Sequence, residues 1–470
     1  MSEGTTSRAP EVAMRPTEPA DLLLRSARLL DPRSGVDGFH DLLVKDGLIA
    51  EIAQPDTLDP EQGIEIVDAA GLSVFPGFVD PHVHLRTPGR EDVEDLDSGT
   101  RAAAAGGFCC VLAMPNTNPV VDNASVLRSL FERARLEARV PVGFLAAASR
   151  GLAGRELTEM AELTDEGAAG FTDDGMPIAD AGLLRRAFQY QRLAGGLLAL
   201  HEEDPALSRN GVMHEGSIST LLGLAGIPSI SESTMIERDA SIALYEGGRC
   251  HILHLSSAES VAAIEHARAM GAKVTAEVTP HHLTLTDEAV RSLDSRFKMN
   301  PPLRGDGDRD ALISGLRSGA ISCIATDHAP HAHEEKEVPF EQAPMGVTGL
   351  ETAFAVLYTD LVLPGILELD LVVERLTAGA SVYGLPVPSL APGSAANLCL
   401  VDLDATWKVG DSGYESRSDN SCFADRKLNG KVLMTVAAGS VAFRARSFAI
   451  RLAEEPDGSA RRLTGSRQDL

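Results

Sequence analysis

Eight short, largely apolar runs recur between residues 78 and 326, and they restrict what this chain can fold into more than any other feature. They cover residues 78–85, 108–114, 142–147, 168–172, 197–201, 251–255, 273–278 and 321–326. Each of the first seven is followed by a segment of helical composition, such as 98–105 or 260–270. A continuously apolar strand must be buried on both faces, and helices alternating with such strands supply the cover of a parallel sheet. A count of eight fits an α/β architecture of the (β/α)8 TIM barrel type. An open doubly wound sheet is the alternative, but no Gly-rich dinucleotide loop follows any of the runs.

The flanks read differently. Residues 22–24, 41–44 and 48–52 form short strand-like runs, with Asp46-Gly47 between the last two as a hairpin signal. Similar runs return at 397–401, 432–436 and 441–443. Neither end alone has enough strands to bury a core, so both should meet in one small β-sandwich-like domain. The expected division is a flexible tail over 1–19, a small β domain from 20–75 plus 386–450, a barrel over 76–385, and a C-terminal tail over 451–470.

A net charge of −26 argues against nucleic acid and against anionic membrane surfaces, which attract clustered Lys and Arg. No apolar run reaches membrane-spanning length, and residues 1–19 lack the apolar core of a signal peptide. The six cysteines show no CxxC spacing, and five of them (Cys109, Cys110, Cys250, Cys323 and Cys399) lie in or beside apolar runs, so a reducing cytoplasm is expected.

In barrels of this kind, chemistry sits where the strands end. The first run ends with His82 and His84, two apart and therefore on one face of a strand, and Arg86 is expected to continue that face with a guanidinium that suits a carboxylate. Asn116 follows the second run, Asp173 and Asp174 the fourth, and Asp327 the eighth; His201 ends the fifth and His254 sits on the sixth. Four imidazoles and two carboxylates suffice for two divalent cations if one carboxylate bridges them, and such pairs hold their metals about 3.5–4 Å apart. Successive side chains point oppositely, so only one of Asp173 and Asp174 should reach a metal, the other forming an Asx turn before Gly175. His251 and His254 cannot share a strand face, and His254 lies nearer the strand end. His281 and His282 are expected to be structural or to support the site from behind; His40, His214, His266, His328 and His333 are expected to take no part.

Taken together, PGFVDPHVHLRTPG, AMPNTNPVVDN, GFTDDG, HEEDPAL, ISTLLGLAGIPSISES, HILHLSS, VTAEVTPHHLTLTD, FKMNPPLR, IATDHAPH and APMGVTGLETAF resemble the cyclic amidohydrolases, specifically the bacterial type I dihydroorotases. The resemblance implies that His82, His84 and Asp327 bind one metal and that Asp174 bridges it to a second held by His201 and His254. It implies two Zn2+ per subunit, bridged by Asp174 and a hydroxide, with Asp327 also the catalytic acid/base. Arg86, Asn116, Asn300 and His331 resemble the substrate-binding residues, with the backbone at Met345-Gly346 closing over the ring. Hydantoinases and allantoinases carry a carboxylated lysine at the bridging position, and this chain has no lysine in that region. Two departures stand out: Thr87 where members often have Glu, and Glu202 where they often have Cys.

The implied reaction is the reversible cyclisation of N-carbamoyl-L-aspartate to (S)-dihydroorotate and water in de novo pyrimidine biosynthesis. The implied partners are that small anionic substrate, further copies of the chain, and aspartate transcarbamoylase. Residues 328–344, rich in Glu and Pro, are expected to close over the site. The rival readings are a cyclic amidohydrolase for hydantoins or allantoin, and a non-catalytic homologue that scaffolds a partner.

Overall fold

The computed structural model describes residues 9–446, Phe448 and the short strand Arg451–Leu452. Two arcs of parallel strands form the body of the molecule. Phe78–Val83, Phe108–Ala113 and Val142–Phe144 pair in that order, and Leu198–Leu200, Arg249–Ile252, Lys273–Val278 and Cys323–Ile324 make the second arc. Isolated parallel bridges span the gaps between them, at Ala146–Phe171 and Phe171–Leu198 on one side and at Val83–His328 on the other. The fourth apolar run therefore contributes a single bridging residue rather than a regular strand. Helices such as Leu96–Ala105, Ala124–Glu137, Ala181–Ala194 and Ala258–Ala269 alternate with the strands. Leu96–Ala105 begins where Asp95 accepts from the Ser98 N–H and the Ser98 hydroxyl meets the Asp95 N–H, a reciprocal cap.

Both chain ends enter one nine-stranded sheet instead of two separate ones. Ser440–Arg444, Lys427–Ala437, Leu398–Lys408, Ser73–Pro76, Leu22–Asp31, Val36–Lys45 and Leu48–Ala53 follow in that order. Asp46 and Gly47 both take positive φ (51° and 74°), the two-residue turn that the Asp-Gly pair favours. Register shifts in four strand pairs, such as those at Leu24/Ala27 and Leu400/Val401, bend the sheet. It closes on its own core of Leu22, Leu24, Leu42, Val44, Leu398 and Met434, distinct from the barrel core.

At the first bulge the buried Asp41 carboxylate accepts from the backbone N–H groups of Ser26 (2.9 Å), Asp56 (3.1 Å), Thr57 (3.1 Å) and Leu58 (3.3 Å). Burial opposes its ionisation, but these four donors outweigh burial and hold the carboxyl below its ordinary value. Asp41→Ala leaves the donors unpaired and should cost about 2 kcal/mol of stability at neutral pH. Because the folded-state value is depressed, that contribution is in place above the ordinary aspartate value near about 4 and is lost as the pH falls below it. Denaturant midpoints of wild type and variant, measured from neutral to acid pH, check both points.

The N-terminal stretch corrects one expectation. Residues 11–15 lie along the barrel, with Ala13 and Val142 exchanging backbone hydrogen bonds of 2.9 Å and Arg15 N donating to Ala138 O at 3.1 Å. The free tail expected over 1–19 is thus docked from residue 11 onward, and residues 1–8 lie outside the described residues. At the other end Arg451–Leu452 pairs with Glu65–Asp68; the remainder of the expected C-terminal tail lies outside the described residues.

Candidate metal centre

The first strand stops at Val83, and the residues that follow turn into the barrel mouth. Asp80, buried beneath them, accepts from His82 N (3.1 Å), Thr326 N (3.1 Å) and the Thr326 hydroxyl (2.6 Å). It ties the first strand to the eighth and sets His82 beside Asp327. Arg86 (φ 53°), His254 (φ 29°) and Asp327 (φ 48°) all occupy the left-handed region, uncommon for residues with a side chain. Such strain gathers at functional sites. Arg86 therefore reaches the mouth by a turn and does not continue the His82–His84 strand face.

Asp174 stands at the centre. Its Oδ1 lies 3.7 Å from His82 Nε2, 3.6 Å from His201 Nδ1 and 3.7 Å from His254 Nε2, and its Oδ2 lies 3.5 Å from His84 Nε2. Asp327 Oδ1 lies 3.1 Å from His84 Nε2 and 3.3 Å from His82 Nε2. All six side chains are buried. Burial opposes ionisation of both aspartates, yet the imidazoles hold both carboxyls well below the usual range. Asp173 points elsewhere: its carboxylate accepts from Ser149 N at 2.9 Å and from the Ser149 hydroxyl. The Asx turn expected of it is not made, and Met176 N bonds its carbonyl instead.

This donor set fits divalent cations. His82, His84 and Asp327 form one group whose ligand atoms all lie within 4.8 Å, and His82, Asp174 and His254 form another. The buried His82 Nε2 has no hydrogen-bond partner, and His201 Nδ1 sits 2.9 Å from His254 Nε2. Imidazole lone pairs converging so closely need a proton or a cation between them.

Glu277 escaped the sequence reading. Buried on strand Lys273–Val278, it meets His82 Nδ1 at 2.7 Å and His251 Nε2 at 2.9 Å. Burial opposes its ionisation, but the His82 and His251 imidazoles bring the carboxyl down to about 2. A lone carboxylate inside an apolar strand was the available signal. His251 is spent on Glu277 and on Thr275 Oγ1 (2.8 Å), so of the pair His254 is the one at the mouth. His282 bonds Thr279 Oγ1 (2.8 Å) and Pro301 O (2.9 Å), and burial lowers His281 to about 4. His328, expected to be idle, is buried between Glu94 (3.2 Å) and the Gly349 N–H (3.2 Å). Burial beside Asp239 raises the Glu202 carboxyl well above its ordinary value, which suits a neutral acid.

The remaining sequence candidates gather around this centre. Asn116 bridges it, with Oδ1 2.9 Å from His84 Nδ1 and Nδ2 3.3 Å from Asp174 Oδ2. Asn300 Nδ2 donates to Glu203 (2.6 Å), which also meets His201 Nε2 (3.3 Å). On the opposite side Arg86 Nε donates to Pro330 O (3.0 Å), and its other arm lies 3.5 Å from His331 Nε2. His331 Nε2 pairs in turn with Met345 O at 2.8 Å. Gly346 has φ 130°, and a Cβ there would meet Ala329 Cβ at 2.8 Å and His331 Nε2 at 2.9 Å, so only glycine fits.

The segment 328–344 lies across this side. Lys336 Nζ donates to the carbonyls of Ser295 (3.1 Å) and Pro344 (2.8 Å), and Lys298 Nζ to those of Phe340 (2.8 Å) and Glu341 (3.0 Å).

A family model described as dihydro-orotase-like matches residues 71–260, and one for the amidohydrolase family matches residues 232–442. A dihydroorotase from Pelotomaculum thermopropionicum is 45% identical over 427 residues, covering 90% of this chain and 99% of the relative. One from Anaeromyxobacter dehalogenans is 44% identical over 423 residues, covering 89% and 97%. Among solved structures, an L-hydantoinase from Arthrobacter aurescens superposes with a TM-score of 0.80 at 27% identity, covering 90% of this chain and 96% of its own. A dihydropyrimidinase from Brevibacillus agri shares the fold, with a TM-score of 0.78 at 22% identity, covering 92% and 97%. Among the described residues no helix is long and apolar enough to cross a membrane. With relatives this similar over nearly their whole length, and with buried metal-type donor groups at the barrel mouth, the chain belongs to the dihydroorotase family of the amidohydrolases.

Proposed function

We propose that this protein is a dihydroorotase, catalysing the reversible cyclisation of N-carbamoyl-L-aspartate to (S)-dihydroorotate and water in pyrimidine synthesis. The observation that carries this reading is an aspartate, Asp174, at the centre of four imidazoles, with the guanidinium of Arg86 at the rim beside His331. His82, His84 and Asp327 would hold one Zn2+, and His201 and His254 a second, with Asp174 shared between them. Bound there, the metals supply a Lewis acid for the ring carbonyl and lower the pKa of the attacking water.

The chain's own groups do the rest. In the hydrolytic direction Asp327 takes the proton of the attacking water and delivers it to the departing ring nitrogen. Arg86 and Asn116, with Asn300 and His331, hold the substrate carboxylate and ring edge, and the backbone at Met345-Gly346 lies against the ring. Their contribution is orientation. The proposal includes a cytoplasmic location, a division into a barrel (76–385) and a small domain (20–75 plus 386–450), and assembly as a homo-oligomer or with aspartate transcarbamoylase. Light scattering, alone and with the transcarbamoylase added, tests the assemblies.

The decisive experiment is metal analysis of the purified protein followed by assay on dihydroorotate and on hydantoin. About two zinc ions per chain and turnover of dihydroorotate are expected. Chelation should abolish that turnover and added Zn2+ should restore it. A protein that binds no metal, or that turns over hydantoin alone, overturns the reading.

A further inference from the structure

One buried amide from the sheet domain joins the separate segments that carry the proposed substrate contacts. Asn420 lies in the connection between strands Leu398–Lys408 and Lys427–Ala437, which leaves the sheet and crosses to the barrel mouth. The residue is 2% exposed. Asn420 Nδ2 donates to Ala329 O (3.1 Å) and Gly346 O (3.2 Å), and its Oδ1 accepts from His331 N (3.2 Å). Both donors and the acceptor of the amide are therefore used, each on backbone. The Asn420 carbonyl also accepts from Thr348 N at 3.3 Å.

These partners are not a random set. Pro330, held between Ala329 and His331, offers the carbonyl that receives Arg86 Nε at 3.0 Å. His331 and Gly346 are themselves among the proposed substrate contacts, and His331 Nε2 meets the carbonyl of Met345, the residue before Gly346. The two segments are 14 residues apart in the chain at His331 and Met345, and one element of the sheet domain holds both. The same connection is fastened to the barrel independently, by the Ser416 hydroxyl on Glu94 and by the Ser418 hydroxyl on Val93 O (2.9 Å). Asn420 is thus not needed merely to dock it.

We propose that Asn420 is a positioning residue for substrate binding: it fixes His331, the Pro330 carbonyl behind Arg86, and Gly346 relative to one another. It touches none of the groups assigned to proton transfer or to metal. Its loss should therefore weaken the hold on the substrate and leave the chemical step nearly intact. This rests on the dihydroorotase reading above.

The test compares wild type, Asn420→Ala, Asn420→Asp and Ser418→Ala for KM and kcat with dihydroorotate, for metal content and for thermal stability. Asn420→Asp keeps the acceptor for His331 N but sets an oxygen against two carbonyls, so it should behave like Asn420→Ala. Both are expected to raise KM about tenfold, with kcat within about twofold of wild type and metal content unchanged. Ser418→Ala, which loses a buried hydrogen bond from the same connection, should keep the wild-type KM. A folded Asn420 variant with wild-type KM overturns the proposal, as does an equal rise in KM for Ser418→Ala. If neither Asn420 variant folds while Ser418→Ala does, the role is structural and the proposal falls. A wild type that does not turn over dihydroorotate removes the functional reading itself, a result distinct from all of these.

Discussion

Asp327→Asn should fold, keep its metal content within about twofold and lose turnover by about 1,000-fold or more, within the range that a positioned acid/base contributes. The substitution preserves the shape of the side chain and one oxygen to face His84 Nε2 and His82 Nε2, at 3.1 and 3.3 Å in the wild type. What it removes is the ability to take a proton from water and give it to the ring nitrogen. The imidazoles keep the Asp327 carboxyl well below its ordinary range despite burial, so it is a carboxylate, able to accept, over the whole neutral range. The measurement is kcat in both reaction directions beside metal content by mass spectrometry. Near-normal turnover with full metal would remove Asp327 from the acid/base role; lost turnover with lost metal would make it a ligand only.

Glu277→Gln should act through the metal rather than through the substrate. Glu277 receives His82 Nδ1 at 2.7 Å and His251 Nε2 at 2.9 Å, and so fixes the ring of His82 with Nε2 facing Asp174 and Asp327. Carboxylates behind ligating histidines set tautomer and orientation, and their removal typically costs about 10–100-fold in metal affinity. The carboxylate is fully buried, so exchanging it for an amide also takes the charged acceptor away from two buried imidazole nitrogens, at a cost of about 3 kcal/mol. Equilibrium competition with a chelator reads the first effect, and denaturant unfolding of the metal-free protein reads the second. A variant that binds metal as tightly as wild type shows that Glu277 only fills the barrel floor.

The barrel strands were legible because their burial is recorded locally. Lys273–Val278 matches its apolar run to the residue, and the other regular strands fall within two or three residues of theirs. The run at 168–172 misled only in regularity: Phe171 bridges both neighbours without a ladder on either side. The same locality made the Asp46-Gly47 hairpin readable, since two positive φ angles in succession favour that pair. Residues 11–15 gave no signal, because their pairing with Val142 and Ala138 depends on an edge presented by chain more than 120 residues away.

Strand periodicity and strand-end position by themselves determined that His82 and His84 share a mouth with Asn116, His201, His254 and Asp327, because a parallel barrel brings all its strand ends to one face. They left open which of Asp173 and Asp174 faces inward. Only the tertiary structure decided that, by giving Asp173 the Ser149 N–H and hydroxyl and leaving Asp174 among the imidazoles. It also decided how Arg86 arrives, through a left-handed turn rather than along the strand, and it supplied Glu277 and Asn420. Each of these depends on a hydrogen-bond partner that is remote in sequence, and the pattern of a single chain records which side chains are buried but not which buried groups meet.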